Sequence, residues 1–274
     1  MNIENLALVA GEGTLPIEIA LALRQKYDHL PRVYLLGNDE DMYVKNNVPF
    51  QKIANPLAIA LLLTKMRFSG VKHLIMAGSV PKNNIYAKEK QDMGAQTILS
   101  EVTDRNDHSL LAGVVKYIEK FGIEVVSYDQ VIPELLATEG PIAGPMPTKE
   151  QNEDCLYGLN VLKVLLPLSF GQSIVVSKRA IVAVEAMEGT DNAVKRAGSL
   201  SRGGILIKGM RADQDRRYDL PVVGPLTLQV MAEAGLSALF IEAGSVLLLE
   251  KKSFLAEAER LNICVRGIPS CQFS

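Results

Sequence analysis

The run that most constrains this chain is Ala183-Val184-Glu185-Ala186-Met187-Glu188-Gly189-Thr190-Asp191, where an apolar strand passes directly into the start of a helix. Ile181-Val182-Ala183-Val184 is a short apolar run of the kind that buried strands carry. Glu188-Gly189-Thr190-Asp191 then supplies a flexible glycine, a hydroxyl and carboxylates where a new helix exposes unpaired N–H groups. Helix starts favour anions and phosphates, and carboxylate oxygens suit Mg²⁺. The run predicts a phosphate-plus-metal site. Simple capping of the helix by Thr190 or Asp191 is the competing reading.

The N-terminal half alternates strands and helices. Residues 5–10 read as a buried strand, Gly11-Glu12-Gly13-Thr14 as a turn, and Pro16 as a first-turn residue of a helix reaching Tyr27. Strands follow at 32–36, 72–77 and 123–126, and helices at 56–68 and 109–121, the last with Ser109 as N-cap and Gly122 as terminator. Such alternation predicts a Rossmann-like parallel sheet with crossover helices. Gly140-Pro141-Ile142-Ala143-Gly144-Pro145-Met146-Pro147 interrupts it, because this density of proline and glycine suits neither a helix nor a central strand. The expected division is a domain over 1–139, a linker over 140–148 and a mixed α/β domain over 149–274, with substrate between the domains. In the second domain, strands at 173–177 and 180–186 form a hairpin over Ser177-Lys178-Arg179. Further strands are expected at 204–208, 238–242 and 246–249, and helices at 149–166, 225–234 and 251–261.

Composition narrows the class. The chain has 274 residues, 48% hydrophobic and 22% charged, which is globular. A net charge of −2 provides no basic surface for nucleic acid. Cys155, Cys264 and Cys271 form neither a zinc pattern nor a disulfide framework, which points to a reducing cytoplasm. No apolar run approaches the roughly 20 residues that span a bilayer, so a soluble protein is expected. The three histidines are dispersed, and no Gly-x-Ser-x-Gly or Cys–His arrangement marks a covalent nucleophile.

Several strand ends carry candidate groups. Gly11-Glu12-Gly13-Thr14-Leu15-Pro16 sits where a Rossmann fold binds a dinucleotide, but Pro16 stands where that fingerprint wants Gly or Ala. Asp39 lies near the end of the second strand, where a ribose-binding acid would fall. Ala77-Gly78-Ser79 ends another strand of the same sheet, and Gly78 would admit a ligand close to the backbone. Lys208, flanked by glycines at a strand end, can act as a point charge on phosphate or stand as an ordinary exposed lysine. Asp219 in Arg216-Arg217-Tyr218-Asp219-Leu220-Pro221 reads either as a metal- or water-positioning carboxylate or as part of a surface ion-pair cluster.

Four segments, 10–16, 77–80, 185–191 and 216–224, resemble the I-type UDP-2,3-diacylglucosamine pyrophosphatases of lipid A synthesis in order and spacing, with Glu12 replacing the middle glycine of the family's usual triple glycine. The resemblance implies hydrolysis of UDP-2,3-diacylglucosamine to UMP and 2,3-diacylglucosamine 1-phosphate, with Mg²⁺ as cofactor. It implies substrate contacts at Gly11, Gly13, Leu15, Ala77, Gly78, Gly189, Thr190 and Lys208, a catalytic acid at Asp219, and metal ligation by Asp191 and Asp219. A cytoplasmic enzyme touching the inner membrane peripherally fits such a lipid substrate. Its acyl chains need an apolar groove, expected in the Leu-, Val- and Ile-rich C-terminal half. Two rival readings stand beside it: an NAD-dependent oxidoreductase, and a non-catalytic nucleotide-sugar-binding regulator with no need of Asp219.

Overall fold

The structure, a computed structural model, describes residues 3–80, 91–102, 107–211 and 213–270. Two compact units are present. Unit 1 comprises Met1–Pro133 together with Arg216–Tyr218, and unit 2 comprises Glu134–Asp215 and Asp219–Ser274.

Unit 1 is built on β1 (Leu6–Ala10), α1 (Leu15–Tyr27), β2 (Arg32–Leu35), α2 (Glu40–Lys45), β3 (Phe50–Lys52), α3 (Ile59–Phe68), β4 (His73–Ala77), α4 (Met93–Glu101), α5 (Asp107–Lys120), β5 (Glu124–Val125) and α6 (Tyr128–Val131). Its strands form one sheet in the order β3-β2-β1-β4-β5, with every pair parallel. Central β1 is buried on both faces, which explains its unbroken apolar run. The order reverses direction between β1 and β4, the topological position at which open α/β sheets take ligands. Helix α5 begins two residues before Ser109, which therefore lies in the first turn and is not the cap.

Unit 2 contains β6 (Gly140–Ala143), α7 (Lys149–Leu165), β7 (Ser173–Ser177), β8 (Ala180–Val184), α8 (Thr190–Leu200), β9 (Ile205–Lys208), β10 (Val222–Val223), α9 (Pro225–Glu233), β11 (Ala238–Glu242), β12 (Leu247–Leu248), α10 (Lys251–Arg260) and β13 (Cys264–Ile268). Six strands make a mixed sheet, β6-β13-β11-β9-β7-β8, in which β9, β11 and β13 run parallel. Alternate residues supply opposite faces. Leu206, Leu239 and Ile241 pack with Val194, Ala197, Leu228 and Phe254 of α8, α9 and α10. Ile205, Ile207 and Phe240 pack with Cys155 and Leu162 of α7. The class is the one expected: α/β, a parallel sheet followed by a mixed one.

Three local differences have physical causes. Residues 140–148, expected as a linker, open with strand β6, antiparallel to β13 at the sheet edge. An edge strand tolerates the missing N–H of Pro141. Strand β13, whose short run includes Arg266 and Gly267, carried too weak a pattern to be read. The β7–β8 turn is Lys178-Arg179, both left-handed (φ 52° and 58°). The buried carboxylate of Asp154 holds it by accepting from both amides, at 3.0 and 2.6 Å.

The β1 and β4 exits cross at backbone contact. Gly11 N donates to Ala77 O at 2.8 Å, and Glu12 and Ser79 exchange bonds of 2.7 and 3.0 Å. A Cβ on Gly78 (φ +84°) would lie 2.7 Å from Glu12 O, whereas Gly13 (φ +101°) faces open space. Both positions resist side chains conformationally, but only Gly78 also does so sterically. Gly78→Ala should therefore cost about 2 kcal/mol or more and Gly13→Ala about 1, as measured by urea denaturation. Equal losses would show that the crossing yields.

Candidate active site

The C-terminal ends of β8 and β9 meet the N-terminus of α8 in unit 2. Lys208 Nζ donates to Thr190 Oγ1 at 3.0 Å, and Thr190 Oγ1 donates to Glu185 Oε1 at 3.0 Å. Ser173 Oγ, from β7, lies 3.3 Å from the same hydroxyl. A threonine hydroxyl has one donor and two acceptor positions, so this network uses the full capacity of Thr190. What α8 offers a ligand at this residue is backbone, not hydroxyl. The first intrahelical bond runs from Ala193 N to Gly189 O, which leaves the N–H groups of residues 190–192 outside the helical pattern.

Neither Thr190 nor Asp191 caps α8. Gly189 occupies the N-cap with φ 80°, and no side chain bonds there. Asp191 stands in the first turn, where the helix dipole favours a carboxylate.

Lys208 is only 5% exposed and Glu185 only 7%. Burial pushes the Lys208 ammonium below its ordinary pKa, against the opposing pull of the Glu185 and Asp191 carboxylates. Glu185 Oε2 is buried without a hydrogen-bond partner among the described residues. An unpaired buried oxygen of this kind is costly, and a bound water, ion or ligand can offset that cost.

A second cluster hangs from the same strand. Three residues beyond Lys208, Arg211 Nε lies 3.1 Å from Asp213 Oδ1 and its Nη2 3.5 Å from Asp219 Oδ2. The exit from β9 is pinned by Glu242 at the end of β11. This carboxylate, 1% exposed, accepts from Met210 N at 2.9 Å, Ser245 Oγ at 3.2 Å and Ser270 Oγ at 2.9 Å. Glu185, Ser173, Arg211 and Glu242 were not singled out from sequence. The available signal was a carboxylate ending an apolar strand, at 185 after β8 and at 242 in β11.

The expected unit 1 residues gather at the β1 and β4 exits. Gly11 and Gly78 are required there by the backbone crossing itself. Leu15, 8% exposed, is a core residue of α1. Gly13 N donates to Asp39 Oδ2 at 2.9 Å, so the acid considered for a ribose also braces the loop. Beside these exits lies a cavity of about 410 Å³, lined by Gly11, Ala77, Gly78 and Ser79 and by apolar side chains including Leu36, Leu63, Met66, Ile98, Val114 and Tyr218. This cavity belongs to unit 1, where α3, α4 and α5 contribute to its wall.

Among the described residues, no three His, Cys, Asp or Glu side chains converge as a metal cage. The donor chemistry present, isolated carboxylates, suits Mg²⁺, which takes one or two carboxylates and completes its shell with waters and substrate phosphates.

A family model of the LpxI N-terminal domain matches residues 5–135, and one of the LpxI C-terminal domain matches residues 138–266. The chain is 27% identical over 277 residues to UDP-2,3-diacylglucosamine pyrophosphatase LpxI of Caulobacter vibrioides, covering 96% of this chain and 97% of that protein.

The depressed pKa of Lys208 has a sign that can be checked. Between its folded-state pKa and the ordinary 10.5, the unfolded chain binds the proton more tightly, so raising the pH through this window favours the folded state. The urea midpoint of the wild type should therefore rise relative to that of Lys208→Met as pH increases from neutral toward 10.5. Parallel profiles for the two proteins would contradict the buried ammonium.

Proposed function

Because the chain belongs to the LpxI family, we propose that it hydrolyses the pyrophosphate of UDP-2,3-diacylglucosamine, releasing UMP and 2,3-diacylglucosamine 1-phosphate for lipid A synthesis. The observation that best supports this substrate is the unit 1 cavity, whose apolar wall continues into the strand-end backbone at Gly11, Gly78 and Ser79. Such a surface suits a molecule with a polar head and a fatty tail. The cavity of about 410 Å³ falls within the roughly 300–1,000 Å³ of small-ligand pockets.

In unit 2, the α8 N–H groups and the Lys208 ammonium supply positive potential for phosphoryl oxygens. The Thr190 hydroxyl fixes Lys208 in place, and Glu185 fixes Thr190. Arg211 beside Asp219 adds a second cation for charge that develops on the phosphate, and Asp219 orients the attacking water. The water oxygen bonds to the phosphorus next to uridine. The bond from that phosphorus to the bridging oxygen breaks, and the lipid phosphate leaves with that oxygen. Mg²⁺ held by Asp219 and Asp191 would supply Lewis-acid polarisation of the phosphoryl oxygens. No described helix is long and apolar enough to cross a membrane. A diacyl lipid is met at a bilayer surface, so the place of reaction on this reading is the cytoplasmic face of the inner membrane.

The test is UMP release from UDP-2,3-diacylglucosamine with Mg²⁺, and its loss in excess EDTA. Asp219→Ala should lower kcat by about 10²-fold or more, with substrate Kd changed little. Turnover unaffected by EDTA would remove the metal from the scheme. A normal rate with a lowered melting temperature would return Asp219 to a purely structural pairing with Arg211.

A further inference from the structure

The unit 1 cavity has a direction. Along β4 its lining passes from buried to open: Leu74 and Ala77 are buried, whereas Gly78, Ser79 and Val80 are exposed at the exit of the strand. The helices show the same gradient. On α3, Ile59 and Leu62 are half-buried and Met66 is fully buried; on α5, Leu110 and Val114 are half-buried and Ile118 is buried. Topology places these buried ends together. Helix α3 ends at Phe68, just before β4 starts at His73, and α5 ends at Lys120, just before β5, whose Glu124 pairs with His73. Met66, Leu74 and Ile118 all belong to the hydrophobic core of unit 1. The cavity is therefore a blind channel that opens at the β4 exit and ends against the core.

We propose that this channel takes one acyl chain of the substrate, methyl end first, and that Met66 at its blind end is a specificity-determining residue that sets the longest chain accepted. The inference rests on the functional reading above.

The occupant follows from the lining. None of the described lining residues is charged, and the peptide groups of Gly78 and Ser79 stand at the open end. Water in such a channel lacks the polar partners it needs, whereas hydrocarbon gains by leaving water. An acyl chain also keeps its one polar end outside, at the strand exit. Ile59, Leu62, Leu63 and Met66 recur at i, i+3, i+4 and i+7, which sets them on one face of α3 over a rise of about 10 Å. A chain advances along this face until its methyl group meets Met66, with Leu74 and Ile118 beside it. Beyond that point added volume must displace close-packed core side chains or push the polar head back out of register. The cost of excess length is therefore abrupt.

The experiment measures kcat/KM by UMP release for UDP-2,3-diacylglucosamines with equal saturated chains, from octanoyl to stearoyl, all presented in the same mixed micelles. For the wild type, kcat/KM should reach a maximum and then drop by at least about tenfold at the next lengthening step. Met66→Ala, which deepens the channel, should move the maximum to longer chains. Val114→Phe, which fills it partway, should move the maximum to shorter ones. A wild-type profile without a maximum overturns the proposal before any variant is made. A maximum unmoved in folded Met66→Ala overturns it too. Should Met66→Ala fail to fold, Val114→Phe decides at a half-buried position, and an unmoved maximum there overturns the proposal. Equal UMP release at every length removes this inference and leaves the functional reading standing; no UMP from any of the substrates overturns both.

Discussion

Burying the Lys208 ammonium among strand ends is the constraint on which the unit 2 site depends. A buried ammonium is tolerated only where polar groups surround it. Here Thr190 accepts its bond, and the Glu185 and Asp191 carboxylates supply opposing charge. Thr190 is held in turn by Glu185 and approached by Ser173. The arrangement accounts for a glycine at the start of α8: Gly189 places the helix so that its first residue, not its cap, reaches the lysine. A threonine serving as N-cap would have turned its hydroxyl to the helix's own amides instead.

From Lys208 the same strand leads on to the acidic cluster. Glu242 grips the exit at Met210 and is itself held by Ser245 and Ser270. Arg211 therefore leaves the sheet from a fixed point and reaches both Asp213 and Asp219. Buried carboxylates with several donors are strongly determined in position. Glu242 thus acts on the site through backbone placement, without itself being one of its chemical groups.

Unit 1 relies on close approach of backbone rather than on buried charge. The exits of β1 and β4 exchange hydrogen bonds so tightly that Gly11 and Gly78 admit no Cβ. The crossing occurs where the strand order reverses, and it brings peptide groups to the end of an otherwise apolar cavity. Polar backbone and apolar wall thus meet at one feature of topology.

The class of fold and most of the elements were legible in the amino-acid sequence, because apolar runs and glycine turns are local signals. So were the residues around 185–191 and 216–224 that carry the family resemblance. The two roles of Thr190 were not separable there, since capping and side-chain networking use the same hydroxyl and differ only in which partners arrive from β7 and β9. Gly78 was legible as a special position but for a different reason: the neighbour that forbids a Cβ is Glu12 O, distant in sequence. Residues 140–143 read as a break because proline and glycine weaken a central strand, while their place at an edge beside β13 was set by sheet order. The apolar cavity in unit 1, and the return of Arg216–Tyr218 to that unit, were likewise decided only in three dimensions. Composition shows how much apolar surface a half-chain has, but packing decides which part of it stays unfilled.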